Sequence, residues 1–230
     1  EIPVDVQMRT RSFNFIAFGA LIATALSKNH YNNQTVNLYI PENGLISINP
    51  PLTARRIGSL STRTTHPFFL GKLNELFINI GLPVKLLNPY QFKTKGEMIV
   101  DCQNQALLKK VAVDTVSCGK WKRSGIQCGR CVPCLIRRAS FNAATYNDNT
   151  PYQFPVLNHV IKNPNNRDDL MSMIVAIQSL ENASNKNIWV ARSGSLPFEK
   201  TERQSIIDTV LRGMGEVKNY LQTQNLDVTV

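Results

Sequence analysis

Apolar residues along the first half of the chain form segments that alternate between helical and strand-like spacing. Residues 13–26 are apolar at nearly every position, which predicts a helix that is buried on most sides. Residues 35–40 and 83–87 are short runs rich in β-forming residues and predict two strands, whereas residues 68–80 predict a helix that ends at Gly81. A helix–strand–helix–strand order of this kind predicts an α/β fold with a parallel sheet.

The second half of the chain is dominated by helical spacing. Thr94 to Glu97 has the spacing of a capping box and predicts the start of a helix. Beyond residue 145, turn-rich stretches separate further periodic apolar segments, the last of which covers residues 198–222. We therefore predict two regions, an α/β region over residues 1–145 and a helical extension over residues 146–230.

Residues 41–67 contain no periodic apolar pattern and predict a long irregular loop between the first strand and the following helix. A loop of this length inside a compact domain is usually functional. Polar and charged residues of this loop are therefore candidates for binding or catalysis.

The net charge of the chain indicates which classes of binding partner it favours. The 230 residues include 26 lysines and arginines against 16 acidic residues, a formal net charge of +10. Such a balance suits nucleotide phosphates, nucleic acid or an acidic protein, although it is also compatible with a simple cationic surface. Residues 13–26 are too short to span a bilayer and no cleavage pattern follows them, so we expect a cytoplasmic protein without a membrane contact.

Four of the five cysteines lie within seventeen positions, at Cys118, Cys128, Cys131 and Cys134. A Cys-x2-Cys-x2-Cys run can turn three thiolates toward one point, and the fourth can return across a short loop. Four thiolates in a tetrahedral array are the ligands of a structural zinc ion, with no open position for catalysis. The preferred interpretation is therefore a structural zinc clasp.

Two other interpretations of these cysteines remain open. Disulfides would have to join cysteines that are close in sequence, and such cysteines pair poorly. Secreted disulfide scaffolds are also rich in cysteine, whereas Cys102 is the one cysteine of this chain outside the cluster. An iron–sulfur cluster can also use a Cys-x2-Cys-x2-Cys run, but such runs usually continue with Cys-x3-Cys-Pro. Cys102 itself is expected to be a buried thiol in a helix.

The cysteine run CGRCVPCLIRRASF, preceded by NPYQFKTKGEM, resembles the QueC family, the 7-cyano-7-deazaguanine synthases, and in particular the QueC-like proteins of Qat-type antiphage defence clusters. The likeness covers residues 9 to about 145. It implies part of a doubly wound parallel sheet of the ATP pyrophosphatase type, with a structural zinc ion. It also implies that ATP, with Mg, activates the carboxylate of 7-carboxy-7-deazaguanine for attack by a nitrogen nucleophile.

The resemblance also implies roles for individual residues, in addition to the zinc ligands. Lys95, Glu97 and His66 would be catalytic, with the lysine next to the leaving pyrophosphate and the histidine in proton transfer. Ligand-binding residues would be Arg9, Arg11, Ser12, Glu42, Asn43, Arg63 and Thr64. For several of these the residues alone allow a plainer role: a basic helix entry at Arg9 to Ser12, a turn at Glu42, a helix cap at His66 and a capping box at Lys95 to Glu97.

One element of the family is absent from the sequence. The 230 residues contain no Ser-Gly-Gly-x-Asp-Ser segment and no Gly-Gly pair, so they lack the backbone N–H groups that hold ATP phosphates. We expect that loop to lie upstream of this chain. Two other functions stay open: a zinc-clasped basic module that binds nucleic acid or a partner protein without catalysis, and a scaffold that uses the helical extension. A protein partner from the same defence system and a homo-oligomer are further expectations of the resemblance.

Overall fold

The structure is a computed structural model that describes residues 11–54 and 63–228. Helices dominate this part of the chain. They are α1 (Arg11–His30), α2 (Gly44–Ile48), α3 (Pro67–Asn79), α4 (Lys95–Val100), α5 (Gln105–Val111), α6 (Trp121–Ser124), α7 (Val132–Ala143), α8 (Leu157–Ile161), α9 (Asp168–Glu181), α10 (Lys186–Ala191) and α11 (Lys200–Thr223).

Two strands, β1 (Val36–Tyr39) and β2 (Val84–Leu87), form a parallel sheet with Val36 opposite Val84 and Tyr39 opposite Leu87. The mixed α/β class predicted from the sequence is confirmed, with a small sheet in a mostly helical molecule. A doubly wound sheet stays a prediction, because the described residues form these two strands only.

One face of the sheet packs against α1 and α3. Leu38, Val84 and Leu86 join Ile16 of α1 and Phe77 of α3 in one apolar cluster. The outer edge of β2 is covered, since the Asn74 side-chain amide of α3 accepts from the Leu86 N–H at 2.8 Å and donates to the Leu86 carbonyl oxygen at 3.1 Å.

Helix α1 begins and ends close to its predicted limits, but the prediction that it is buried on most sides is wrong. Ile16, Ala20 and Ala23 face the sheet, whereas Phe15 and Phe18 are 69% and 66% exposed. Phe13, Leu21, Ile22 and Leu26 are also exposed. An apolar sequence indicates that a helix packs against an apolar surface, but it does not show on how many sides. Here the sheet provides that surface on one side of α1.

The main core lies in the helical part and crosses residue 145. It combines Leu45 and Ile48 of α2 and Leu135 of α7 with apolar residues of α8 to α11, among them Leu170 and Val210. The region before residue 145 and the helical extension therefore share one core in the described part of the chain.

Two loop predictions change in detail. The segment 41–67 is not wholly irregular, because α2 interrupts it; Asn43 begins this helix and its side-chain oxygen accepts from the Ile46 N–H at 3.1 Å. Residues 55–62 lie outside the described residues. Cys102 follows α4 rather than lying within a helix, and it is partly exposed, so the prediction of a buried helical thiol is wrong.

Candidate functional site

Four cysteine side chains converge at the start of α7. The Sγ atoms of Cys118, Cys128, Cys131 and Cys134 lie within 4.8 Å of one another, and all four residues are buried. Zinc–sulfur bonds of 2.3 Å in a tetrahedron place sulfur atoms about 3.8 Å apart. The Sγ atoms of Cys131 and Cys118 are 3.9 Å apart, so these cysteines can hold a metal ion such as zinc.

The loops around the cluster are built for sulfur ligands. Backbone N–H groups of Lys120 and Cys128 donate to Cys118 Sγ, and that of Cys131 donates to Cys128 Sγ, each at 3.3 Å. Gly129 turns the chain between two of the ligands with φ of +78°, and a Cβ there would lie 2.8 Å from the Phe154 carbonyl oxygen. Only glycine fits this turn without strain.

This geometry decides among the interpretations of the cysteines. All five are free thiols, and a separation of 3.9 Å is far longer than an S–S bond of about 2 Å. Sulfur atoms that surround a single point leave room for one ion but not for a multi-iron cluster. Hydrogen bonds with Cys131 and then Cys134 lower the pKa of Cys128, whereas hydrogen bonds with Cys128 and then Cys131 raise the pKa of Cys134.

Two arginines of α7 fix the surroundings of the cluster. Arg137 is 2% exposed and donates to the Thr115 hydroxyl and the Ala112 carbonyl oxygen, both at 2.6 Å. Arg138 donates to the carbonyl oxygens of Gly129 at 3.1 Å and Pro155 at 2.5 Å. These contacts tie the segments on both sides of the cysteines to one helix.

A second group of predicted residues meets where β1 and β2 end. Glu42 follows β1, and its backbone is tied to the end of β2 by Asn88, whose side chain accepts from the Glu42 N–H at 3.2 Å and donates to the Glu42 carbonyl oxygen at 2.8 Å. The Glu42 Oε1 atom accepts from the Asn43 side-chain amide at 2.9 Å. Asn43 is therefore engaged both as a helix cap and as a partner of Glu42.

Lys95 lies between this edge and the cysteine cluster. It is the first residue of α4, and its Nζ donates to Ser117 Oγ at 3.3 Å, next to Cys118 of the cluster. Burial lowers the pKa of Lys95, while the charge of Glu42 acts against that change. Burial also raises the pKa of Glu42, and the charge of Lys95 acts in the opposite direction. The two side chains thus form an electrostatically coupled pair.

Glu97 does not face Lys95, although the two were predicted to act together. It completes the capping box, since the Thr94 N–H donates to Glu97 Oε2 at 2.8 Å and the Glu97 N–H donates to Thr94 Oγ1 at 3.1 Å. Its Oε1 atom also accepts from Arg212 Nε of α11 at 2.7 Å. The plainer role, a capping box, is therefore present, and the catalytic role of Glu97 stays a prediction.

His66 begins α3. Its Nδ1 accepts from the Phe68 N–H at 3.3 Å, and its Nε2 is buried without a hydrogen-bond partner. Burial, together with the charge of Arg63, lowers the pKa of His66 to about 4. A neutral imidazole with Nδ1 engaged carries its proton on Nε2, so at neutral pH this histidine can donate a hydrogen bond but is a weak base.

Ser12 and Thr64 line a cavity of about 300 Å³ beside the end of β1, together with Tyr39 and Ile40. Of the predicted residues, Ser12 and Thr64 thus line this cavity, whereas Glu42 and Lys95 form the pair described above. Arg63 lies close enough to His66, at the start of α3, for its charge to act on the imidazole. Arg11 is the first residue of α1 and its side chain lies outside the described residues, as does the whole of Arg9.

Two residues of α11 support this site and were not predicted from the sequence. Glu216 accepts hydrogen bonds from the Thr94 hydroxyl and from the Gly96 N–H, the latter at 3.3 Å, and Arg212 binds Glu97. Gly96 allows this approach, since a Cβ there would lie 2.5 Å from Glu216 Oε1. The contacts join residues more than 110 positions apart, and no local pattern signals them.

Comparisons with models of known protein families, with curated proteins and with solved structures find no match for this chain. None of the helices in residues 11–54 and 63–228 has the length and apolar character needed to cross a membrane.

Proposed function

We propose that this chain is the metal-clasped part of a QueC-like ATP-dependent ligase that acts in antiphage defence. In this proposal the enzyme activates the carboxylate of 7-carboxy-7-deazaguanine for attack by a nitrogen nucleophile, and the two strands belong to a larger doubly wound sheet. The observation that supports it is the position of Lys95 and Glu42 at the carboxyl ends of two parallel strands, against the cysteine cluster.

The carboxyl ends of parallel strands are where α/β proteins bind ligands. A half-buried lysine at this edge favours anionic groups, and it stabilises charge that develops on a leaving pyrophosphate. Glu42 favours the charged form of Lys95, because its carboxylate acts against the effect of burial on the lysine pKa. The Ser12 and Thr64 cavity is next to the same edge and offers hydroxyl groups for the nucleotide or the purine-like ring.

The reaction proceeds in two balanced steps. The substrate carboxylate attacks the α-phosphorus of ATP and releases pyrophosphate, which gives an acyl-adenylate; the nitrogen nucleophile then displaces AMP and loses a proton. Since the chain contains no Gly-Gly pair, the phosphate-binding loop comes from outside these 230 residues in this proposal. The zinc ion has a structural role, because four thiolates fill its coordination sphere.

The test measures pyrophosphate release from ATP by the protein that the complete reading frame encodes, with and without 7-carboxy-7-deazaguanine. We expect pyrophosphate release that depends on 7-carboxy-7-deazaguanine. We expect Lys95→Met to lower kcat by about two orders of magnitude, because the charge on the leaving pyrophosphate is no longer stabilised by the lysine. Lys93→Met is the matched control, because Lys93 is exposed and pairs with Asp101 at 2.6 Å. Acid-independent release, or equal rates in the two variants, would contradict the proposal.

A second candidate function is a binding module without catalysis, for nucleic acid or a partner protein. It is favoured by the exposed aromatic side chains of α1, since Phe13, Phe15 and Phe18 were expected in the core and instead face outward. Binding of single-stranded RNA that weakens steeply with salt and is lost in a Phe15→Ser, Phe18→Ser double variant, together with no pyrophosphate release, would support this candidate.

A further inference from the structure

A cavity of about 390 Å³ lies beside the cysteine cluster. Its walls come from α2, α7, α9 and α11 together with the loop that follows Cys118. It shares no lining residue with the cavity at the end of β1, and neither Glu42 nor Lys95 reaches it. We propose that this cavity binds a neutral, mostly apolar small molecule about the size of two fused or linked aromatic rings.

The walls are those of a small-molecule site. Ile46 of α2, Val132 and Ile136 of α7, and Met173 and Met214 of α9 and α11 face the cavity. Binding clefts for small organic molecules are typically 300–1,000 Å³ with predominantly apolar walls. An apolar protein cavity of about 150 Å³ already binds benzene. Met173 and Met214, which are 1% and 2% exposed, lie behind this wall, where their flexible side chains can adapt to a planar ring.

The polar groups of the wall indicate a neutral ligand. Lys120 Nζ and Asp169 Oδ2 are 3.3 Å apart, and both residues line the cavity. Each charge is thus balanced by the other, so an ionic ligand would have to compete with an existing ion pair. A neutral molecule can instead cover the apolar wall and leave this pair intact.

The cavity is also tied to the metal centre. Cys131 lines it, and the backbone N–H of Lys120 donates to Cys118 Sγ at 3.3 Å. A bound molecule therefore contacts one metal ligand directly and the loop of another.

The experiment titrates the zinc-loaded protein with N-phenyl-1-naphthylamine, a neutral probe whose fluorescence rises in apolar surroundings. We expect one saturable site per chain with a dissociation constant of roughly 1–50 µM, an ordinary value for a ligand of this size. The charged analogue 1-anilinonaphthalene-8-sulfonate has a similar ring frame, and we expect it to bind at least about tenfold more weakly because its anion is desolvated beside Asp169.

Two variants test whether the probe binds in this cavity. Val132→Trp and Ile46→Trp fill the cavity from α7 and α2 at partly exposed positions, and each should weaken binding by roughly tenfold or more through loss of buried contact area. Val175→Trp is the matched control, because Val175 is 47% exposed on α9 and does not line the cavity. Near-ultraviolet circular dichroism and metal content verify that each variant is folded.

Each result bears on the proposal. Saturable neutral-probe binding that both cavity variants weaken and the control preserves would establish the site. No saturable binding by the wild-type protein, equal affinity in Val132→Trp and Val175→Trp, or tighter binding of the sulfonate would overturn it. The wild-type comparison of the two probes remains decisive even where a cavity variant fails to fold.

Discussion

Arg212 Nε of α11 lies 2.7 Å from Glu97 Oε1 of α4, which joins the C-terminal helix to the helix that carries Lys95. Glu216, one turn further along α11, accepts from the Thr94 hydroxyl at the start of the same helix. The position of Lys95 therefore depends on residues near the C-terminal end of the described chain. The helical region beyond residue 145 is part of the support of the candidate site.

The cysteine cluster should be essential for stability. Cys128→Ser or Cys134→Ser should reduce bound zinc from one equivalent to none and lower the free energy of unfolding by several kcal/mol, because structural zinc contributes folding free energy directly. Cys102→Ser is the control and should keep both metal and stability, since Cys102 lies outside the cluster. Elemental analysis and urea unfolding provide the two measurements; full metal content in Cys134→Ser would contradict the assignment.

The turn at Gly129 should be intolerant of a side chain. Gly129→Ala should cost about 1–3 kcal/mol, the usual range for a residue forced into a sparsely populated backbone conformation, and the new Cβ would also lie 2.8 Å from the Phe154 carbonyl oxygen. Gly119→Ala, in the same cysteine loop, meets no atom within 4 Å and should be nearly neutral. Thermal unfolding of the zinc-loaded variants tests the difference, and equal melting temperatures would refute it.

His66 should make stability fall in mild acid. Its pKa is lowered from 6.5 to about 4, so the unfolded chain takes up the proton first as the pH decreases. The stabilisation is fully present above pH 6.5 and is lost as the pH falls toward 4. Urea unfolding at pH 7.5 and pH 5 should therefore show a larger loss in the wild-type protein than in His66→Asn, which keeps a capping side chain. An equal loss in His66→Asn would show that the histidine at the start of α3 does not titrate in this way.

Glu216 should act in the opposite direction. Burial raises its pKa above 4.5, so the folded protein binds the proton more tightly than the unfolded chain does. The contribution of Glu216 to stability is therefore greatest below pH 4.5 and decreases as the pH rises through its folded pKa. The free energy of unfolding of the wild-type protein, minus that of Glu216→Gln, should decrease from pH 4 to pH 7; a constant or increasing difference would contradict this.

Local patterns predicted much of the secondary structure. Apolar spacing located α1, α3, β1 and β2, and the capping box at Thr94 to Glu97 is present with both of its hydrogen bonds. The cysteine spacing predicted the cluster, because three of the four ligands lie within one turn and the start of one helix. Signals of this kind act over a few residues, so the sequence displays them directly.

Long-range contacts could not be predicted in the same way. The exposure of α1 side chains depends on how many other elements pack against the helix. The apolar composition of residues 13–26 does not indicate that number. The contact between Thr94 and Glu216 spans 122 positions, and Glu216 occurs in an ordinary amphipathic helix. Glu97 likewise binds Arg212 rather than Lys95 because of the place where α11 packs.

The hydrogen bonds of Asn74 make the two sides of the small sheet unequal. The amide of this side chain already occupies the groups of Leu86 that a third strand would need next to β2. On the other side, Val36 and Ile40 direct their N–H groups toward β2, so the main-chain groups of Asn37 and Tyr39 point away from it. Growth of the sheet is therefore one-sided, and any strand that extends it, whatever its source, makes β1 an interior strand and leaves β2 at the rim.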